Sequence, residues 1–155
     1  IDGTYFSTAI AQDSKNVQVV STDYGFVVNL DNNSALIDKT TGKTKNDTNN
    51  LNFTIGYSGG FASPKITVSL YRRKYDQVNS YEYEEVDLAD YVTNNLVSAS
   101  NVQNEYLVTN NVSATQSFTL TTKSTGLTTG TYKIVFTLYD GNTIISNMHK
   151  SVIIR

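Results

Sequence analysis

Apolar and polar residues alternate along most of this chain, and the alternation predicts β-strands. It is clearest in residues 26–30, 51–57 and 66–70, where every second residue is apolar or aromatic. Because successive side chains of a strand point to opposite faces, this alternation gives each segment one apolar face, which we expect to pack toward a core. Pro64 precedes the third segment, at a strand start where the missing N–H donor is tolerated.

The last part of the chain carries the best-defined pair of strands. Residues 132–138 alternate between an apolar face that begins with Tyr132 and a more polar face. Asp140-Gly141 follows and predicts a hairpin turn, since glycine tolerates the positive φ of a primed turn. The return strand loses its alternation at residues 147–149, where we expect a β-bulge to restore the register.

The segments between these strands predict short elements joined by polar loops. Residues 31–34 predict a turn, after which residues 35–38 return as the hairpin partner of the preceding strand. Residues 39–50 hold no apolar side chain and predict a loop. Residues 70–86 predict a long hairpin whose turn lies near residues 76–80.

A short helical turn and two more strands complete the pattern. Asp87 stands at the N-cap position of a helical turn that we expect to extend to Leu96, with Asp90 three residues after the cap. Residues 106–109 and 117–122 predict the two further strands.

The elements together predict an all-β fold with about eight to ten short strands, which is the pattern of a sandwich or barrel. The chain shows neither an internal repeat nor a linker that would divide it, so we expect a single β-sandwich domain over residues 1–155. The polar loop of residues 39–50 leaves open a small N-terminal subdomain in residues 1–40.

One tyrosine occupies a position with a structural meaning. The letters LTTGTY, residues 127–132, place Gly130 two residues before Tyr132 at the start of the penultimate strand. In Greek-key sandwiches a tyrosine at this place folds its ring under the preceding loop, and its hydroxyl bonds the loop backbone a few residues upstream. This tyrosine corner buries the ring while it satisfies a backbone group. We expect Gly130 to let the loop turn tightly before the strand.

The same segment resembles the Leu-x-x-Gly-x-Tyr-x-(apolar)-x-(apolar) pattern of fibronectin type III-like and other immunoglobulin-like modules. The resemblance covers residues 117–155, with residues 117–122 as the strand that enters the crossing. It implies an immunoglobulin-like Greek-key β-sandwich with extra N-terminal strands or insertions. Such modules are common in bacterial surface proteins and extracellular enzymes, so the resemblance implies an extracellular or cell-wall location. Architecture of this kind does not specify a function.

Composition excludes several classes of function. Of the 155 residues, 39% are hydrophobic and 17% charged, which is too apolar and too weakly charged for a disordered chain. The net charge of -2 offers no bulk basic surface to phosphates, so we expect no nucleic acid partner. The absence of cysteine excludes disulfides, and no apolar window is long enough to enter a membrane. The chain begins at Ile1, which suggests a mature protein or an excised fragment.

The residues that could carry chemistry favour a protein that is not an enzyme. A Ser-His-Asp set or a histidine metal site would have to use His149, the one histidine, which we expect to be exposed and inert. Glu82 and Glu84 share a strand face about 7 Å apart, a spacing that could suit a glycosidase, but strand neighbours do not face each other across a cleft. We expect a solvated hairpin face, and no catalytic residue or cofactor.

The best candidate for binding is the hairpin of residues 70–86. It combines four tyrosines with consecutive basic residues, and the candidate binding residues are Tyr71, Arg72, Arg73, Tyr75, Tyr81 and Tyr83. Exposed tyrosine and arginine anchor protein interfaces, and tyrosine rings can stack on sugars. Alternatively, the tyrosines half-pack across the strands while the basic residues pair with the glutamates.

Two other sites receive weaker support from the sequence. The Asp- and Asn-rich segments at residues 30–38 and 45–50 supply calcium-type oxygen ligands without the spacing of an EF-hand, so we expect ordinary turns and no metal. An internal amide bond between Lys65 and Asn147 would need adjacent strands and a buried carboxylic acid between them.

These observations favour a non-catalytic module that acts as a spacer, accessory or adhesion-type binding domain of a bacterial surface or secreted protein. Its partner would be a protein or glycan at the cell surface. The alternative is a carbohydrate-binding module that uses the tyrosines of residues 70–86.

Overall fold

The computed structural model describes residues 6–7, 9–10, 25–74, 82–93, 100, 102–109 and 114–155. In these ranges the elements, in chain order, are β1 (Phe6–Ser7), β2 (Ala9–Ile10), β3 (Gly25–Leu30), the 3-10 helix η1 (Asn32–Ser34), β4 (Leu36–Ile37), β5 (Asn50–Ser58), β6 (Pro64–Arg73), β7 (Tyr83–Val86), the 3-10 helix η2 (Leu88–Asp90), β8 (Tyr106–Thr109), β9 (Thr115–Thr121), β10 (Gly130–Asp140) and β11 (Thr143–Ile154). The expectation of an all-β fold is therefore confirmed.

The strands form two main sheets that pack as a sandwich. The larger sheet has the order β4-β11-β10-β6, and β7 and β8 both pair with the far side of β6. The smaller sheet has the order β3-β5-β9. The short strands β1 and β2 pair with each other. The strands of the two main sheets pair antiparallel, except that β4 runs parallel to β11.

The alternation in the sequence positions the core between these sheets. From the smaller sheet come Phe26, Val28, Leu51, Phe53, Ile55 and Leu120; from the larger come Ile66, Val68, Leu70, Tyr132, Ile134, Phe136, Leu138, Val152 and Ile154, and all are buried. The rings of Phe53 and Phe136 lie 4.9 Å apart between centroids and join the sheets at mid-height. The three apolar faces predicted from the period of two are confirmed.

The chain changes sheets early, between β3 and β4. Asp31 accepts a hydrogen bond from the Asn33 N–H and caps η1, which redirects the chain. Ile37 then enters the core with 1% of its surface exposed, and β4 pairs with β11. The prediction that residues 35–38 return as the hairpin partner of β3 is therefore wrong. Ile37 instead buries its side chain in the core from the edge of the larger sheet, where it pairs with Ile154.

The irregularity in the last hairpin lies elsewhere than expected. Leu138 pairs with Ser146 and Tyr139 with Ile144, so the extra residue is Ile145. Residues 147–149 pair regularly with β10, and the prediction of a bulge there is wrong. Their alternation fails because this part of β11 is exposed and has little core to bury. The hairpin turn is present one residue later than predicted: Asp140 pairs with Thr143, so Gly141 and Asn142 form the turn, and Gly141 has the positive φ, 63°.

The hairpin after Pro64 is present in its paired part. Leu70 pairs with Val86 and Arg73 with Tyr83, whereas the predicted turn near residues 76–80 lies outside the described residues. Asp87 caps η2 by accepting a hydrogen bond from the Ala89 N–H. The helical turn ends at Asp90, and its predicted continuation to Leu96 also falls partly outside the described residues.

The strand termini define two opposite ends of the sandwich. At one end, Gly25 starts β3 opposite Ser58. The turn at residues 59–63 and the turn at Gly141 meet at this end, where the Gly141 N–H donates to the Ser63 carbonyl oxygen. Arg155 ends β11 at the opposite end, where its carbonyl accepts from the Lys39 N–H. We call these the Gly141 end and the Arg155 end.

Candidate functional site

The corner tyrosine lies at the Arg155 end. Tyr132 is fully buried, and its hydroxyl donates to the Thr128 carbonyl oxygen at 2.6 Å, four residues upstream. The hydrogen bond expected of a tyrosine corner is therefore present. Gly130 does not act as expected, because the positive φ of this loop belongs to Gly126, at 77°. Gly130 is instead a buried first residue of β10.

Two further side chains complete the corner. The Tyr91 ring packs edge-on against the Tyr132 ring, with centroids 5.1 Å and hydroxyl oxygens 3.1 Å apart. Arg72 donates from Nη2 to the Thr129 carbonyl oxygen at 2.9 Å. Burial raises the pKa of Tyr132 well above its ordinary value, and the neighbouring Tyr91 hydroxyl raises it further. The corner thus keeps its hydroxyl protonated and its loop carbonyls paired.

Arg72 belongs to this corner and not to the hairpin surface. It pairs with Tyr132 across β6 and β10, so the two side chains lie on the same, core-facing side of the sheet. Arg72 therefore does not share the strand face of Tyr71 and Arg73, with which it was grouped as a candidate binding residue. Neighbouring residues of a strand point to opposite faces, and a run of three basic residues is divided by that geometry.

The outer side of the same sheet carries a second tyrosine site. Tyr71 pairs with Glu85 and Arg73 with Tyr83, which places all four side chains on the outer face of the β6–β7 hairpin. We call these residues, with Lys133 from β10, the tyrosine face. Lys133 pairs with Tyr71 and holds its Nζ 4.2 Å from the centroid of the Tyr83 ring. Tyr75 and Tyr81, the other candidate tyrosines, lie outside the described residues.

The tyrosine face is half-buried and carries mixed charge. Tyr71 and Tyr83 are both partly covered, and the Lys133 ammonium occupies one side of the Tyr83 ring. Burial raises the pKa of Tyr71, with a smaller contribution from the Glu85 charge. Burial also raises the pKa of Glu85, and the charge of Glu105 adds to this effect. The arrangement offers aromatic contact and charged groups together, which suits a ligand with both apolar and polar surface.

A buried carboxylate that the sequence did not reveal lies on the same outer side. Glu105 is only 7% exposed, although glutamate is rarely buried without partners. Its two oxygens accept hydrogen bonds from the Thr67 and Ser100 hydroxyls, each at 2.8 Å, and from Tyr139 at 3.2 Å. These bonds fasten the start of β8 onto β6 and β10. A single glutamate before a strand has no spacing signature, so no sequence signal could have identified it.

The residues considered for catalysis and metal binding are dispersed. His149 is exposed opposite Val135, and Glu82 lies before β7 with its carboxylate 3.7 Å from Lys74 Nζ. Glu84 pairs with Arg72. Within the described ranges, no three His, Asp or Glu side chains come together as a metal site would require.

The two Asp- and Asn-rich segments do meet in space. Asn46 donates to Asp31 at 2.9 Å, and the Asn33 N–H occupies the other Asp31 oxygen. Both bonds lower the pKa of Asp31, with the Asn33 N–H contributing most. These oxygens serve the turns, as expected.

The positions considered for an internal amide bond are not suitably placed. Lys65 pairs with Tyr139 and lies over its ring, whereas Asn147 pairs with Thr137 and is exposed. The proposal of a bond between Lys65 and Asn147 is therefore not supported, since the reacting groups would not be adjacent and buried.

No protein-family model matches the chain, and no curated protein is similar enough in sequence to count as a relative. In the part of the chain that the structure describes, no helix is long and apolar enough to cross a membrane.

Proposed function

We propose that this domain is a non-catalytic, immunoglobulin-like spacer module that transmits tension along a longer extracellular chain of a bacterial surface or secreted protein. The observation that carries the proposal is the path of the chain. From Gly25 onward the described strands begin at the Gly141 end, β11 finishes at the Arg155 end, and the early strand β4 pairs in parallel with β11. A module with this path can stand in series between neighbours without doubling the chain back.

The strand order supports the immunoglobulin-like assignment. The first part of the chain is divided between the sheets, with β3 beside β5 in one and β4 beside β11 in the other. The tyrosine corner precedes the penultimate strand, which is its place in Greek-key sandwiches. The resemblance of residues 117–155 implied the tyrosine corner, whereas the division of the early strands between the sheets was not expected from the sequence.

Parallel pairing of β4 and β11 favours resistance to pulling. Three backbone hydrogen bonds join the two segments. The Ile153 N–H donates to the Ala35 carbonyl oxygen, the Arg155 N–H donates to the Ile37 carbonyl oxygen, and the Lys39 N–H donates to the Arg155 carbonyl oxygen. Tension between the two ends draws β4 and β11 past each other, so these bonds bear the load together. A hairpin pulled from its open end breaks its bonds one after another, and it yields at lower force.

Single-molecule pulling in two directions tests the proposal. The chain has no cysteine, so introduced cysteines define the attachment points uniquely. We expect attachment at residues 25 and 155 to give a several-fold higher unfolding force than attachment at residues 129 and 155, which opens β10 and β11 from one end. Equal forces in the two directions would refute the load-bearing role.

A matched pair of proline variants localises the resistance. Ile153→Pro removes the N–H that donates to the Ala35 carbonyl oxygen. Ser151→Pro removes an N–H on the same edge of β11, two residues before Ile153 and outside the segment that pairs with β4. We expect Ile153→Pro alone to lower the force between residues 25 and 155. An equal reduction in Ser151→Pro would show that β4 is not the resisting element.

The second candidate function is a carbohydrate or protein contact at the tyrosine face. The observation that favours it is that Tyr71 and Tyr83 share one half-exposed face with Arg73 and Lys133. A glycan array tests the sugar alternative. We expect the double variant Tyr71→Ala and Tyr83→Ala to abolish any signal, while Val27→Ala on the other sheet preserves it. If the wild-type domain gives no signal on the array, the sugar alternative fails and only the spacer role stands.

A further inference from the structure

Two grooves flank Arg155, the last residue of the sandwich. One lies between Arg155 and the loop that carries Lys43 and Lys45, and its volume is about 250 Å³. The other lies between Arg155 and the corner loop, beside Arg72, and its volume is about 360 Å³. Arg155 lines both, and we call the two together the Arg155 groove.

The groove is positive although the chain is negative. Its charged lining residues are four cations, Arg72, Lys43, Lys45 and Arg155, and one carboxylate, Asp38, which gives a net charge of +3. The whole chain has a net charge of -2, so the residues outside the groove total -5. Positive charge is thus concentrated at one end, and a local field of this kind attracts anions.

The carboxylates near the groove are already occupied by the protein's own groups. Asp38 accepts from the N–H groups of Thr40 and Thr41 at 2.7 and 3.1 Å, and the Thr40 bond contributes most to lowering its pKa. Asp47 lies 3.1 Å from Lys43 Nζ, and both side chains are exposed, so this pair is weak and exchangeable. An anionic ligand would therefore meet cations without displacing a buried ion pair.

The loop that carries the two lysines has a fixed conformation. Gly42 has a φ of 72°, and a Cβ at this position would lie 2.0 Å from the Lys123 carbonyl oxygen. Asn49 donates to the Thr41 carbonyl oxygen at 3.0 Å, and the Asp38 N–H donates to the Lys43 carbonyl oxygen at 2.8 Å. Lys43 and Lys45 are therefore presented beside Arg155 from a defined backbone, which lowers the cost of ordering them on a ligand.

We propose that the Arg155 groove binds an anionic polysaccharide. Sulfate or carboxylate groups spaced along a sugar chain would meet the cations on either side of Arg155, and Thr129, which is exposed in the lining, offers a polar partner to sugar hydroxyls. Among the described residues that line the groove none is aromatic, so it lacks the base-stacking groups of single-stranded nucleic acid sites, and a sugar chain would be held there by ionic contacts and not by stacking. This inference is independent of the spacer role and of the tyrosine face.

Binding to polymers of defined charge tests the inference on the chain as it stands. The ligands are heparin for sulfate, polygalacturonate for carboxylate, dextran as the neutral polysaccharide and polyphosphate as an anion without sugar. We expect heparin, polygalacturonate or both to bind at low ionic strength, with affinity that falls as salt rises. Lys43→Gln combined with Lys45→Gln should weaken binding about tenfold and reduce the salt dependence, because two ionic contacts are lost.

A second double variant controls for net charge. Lys65→Gln combined with Lys150→Gln removes the same two charges from outside both the groove and the tyrosine face, and should leave binding unchanged. The inference is overturned if neither acidic polysaccharide binds, if the two double variants lose affinity equally, or if dextran or polyphosphate binds as well as the acidic polysaccharides. Thermal unfolding of each variant shows whether a loss of binding is due to unfolding of the domain. If Lys43→Gln combined with Lys45→Gln unfolds the domain, Lys43→Gln alone replaces it in the comparison with the control.

Discussion

Tyr132 and Tyr83 lie on the same sheet and illustrate two different uses of tyrosine. Tyr132 is fully buried on the inner side, and its hydroxyl is bonded to a backbone carbonyl four residues away. Tyr83 is half-buried on the outer side, and its ring contacts the ammonium group of Lys133. The first residue completes the fold at a loop crossing, whereas the second contributes to a surface.

The difference shows how far each role depends on local sequence. The partner of Tyr132 comes from its own loop, so the role follows from a six-residue segment. The partner of Tyr83 comes from β10, fifty residues later, and the contact exists because β6 lies between β7 and β10. The energetic consequences should differ in the same way, which can be tested by substitution.

The largest expected effect is the loss of the corner ring. Tyr132→Ala should lower the free energy of unfolding by about 3–5 kcal/mol, because it removes a buried aromatic ring and leaves a cavity. Tyr83→Ala should cost less than about 1 kcal/mol, since the ring is half-exposed and loses mainly a surface cation–π contact. Urea unfolding of both variants provides the measurement. Costs of similar size would show that burial does not separate the two tyrosines.

The buried carboxylate should behave like the corner although it lies on the outer side of the sheet. Glu105→Ala should cost about 2 kcal/mol, because the Thr67 hydroxyl loses its partner in a buried position. Glu85→Ala is the matched control, since Glu85 is exposed on the neighbouring strand. Both residues lie on the outer side of the sheet, so equal stability of the two variants would show that burial does not determine the cost of losing a carboxylate.

A third tyrosine allows the comparison to be made by pH. Burial and the hydrogen bond that Tyr106 donates to Asp87 raise the pKa of Tyr106 to about 12. The folded state therefore keeps a proton that the unfolded chain releases, so this contribution to stability is complete below pH 10 and is lost between pH 10 and about 12.

Urea unfolding over that alkaline range measures the effect. The free energy of unfolding should fall as pH rises, and Tyr106→Phe should make the fall shallower. Lys133→Gln, which alters the tyrosine face, serves as a control that keeps Tyr106 intact. An identical slope in wild type and Tyr106→Phe would contradict the assignment.

The smallest expected effect concerns the one histidine. His149 is exposed in a strand segment outside the core, so His149→Ala should change the free energy of unfolding by no more than about 0.5 kcal/mol. Every other property of the isolated domain should be retained. Loss of a hydrolytic or metal-dependent activity in this variant would identify an enzyme and contradict the proposed function.

Local patterns in the sequence were sufficient for much of the fold. Alternation located β5, β6 and β10, the Asp140-Gly141 pair located the last hairpin, and Asp87 located η2. The residues that determine each of these features are close together in the chain, so the physical cause is visible in a short window.

Features that depend on distant partners were not accessible in this way. The pairing of β4 with β11 depends on where Ile37 finds a core, and the bulge at Ile145 depends on the register with β10. Arg72 is separated from the tyrosine face because alternate residues of β6 point to opposite sides of the sheet. The alternation in the sequence indicated this, but the three consecutive basic residues were grouped together. Glu105 acquires its role only from three hydroxyl groups on other segments.

The most direct test of the comparison removes one hydroxyl group from each tyrosine. In Tyr132→Phe the Thr128 carbonyl oxygen loses its donor, and we expect the free energy of unfolding to fall by about 1–2 kcal/mol. Tyr83→Phe keeps the ring under Lys133, so we expect a urea midpoint within error of wild type. A wild-type midpoint for Tyr132→Phe, or an equal shift in the two variants, would contradict the structural role of the corner.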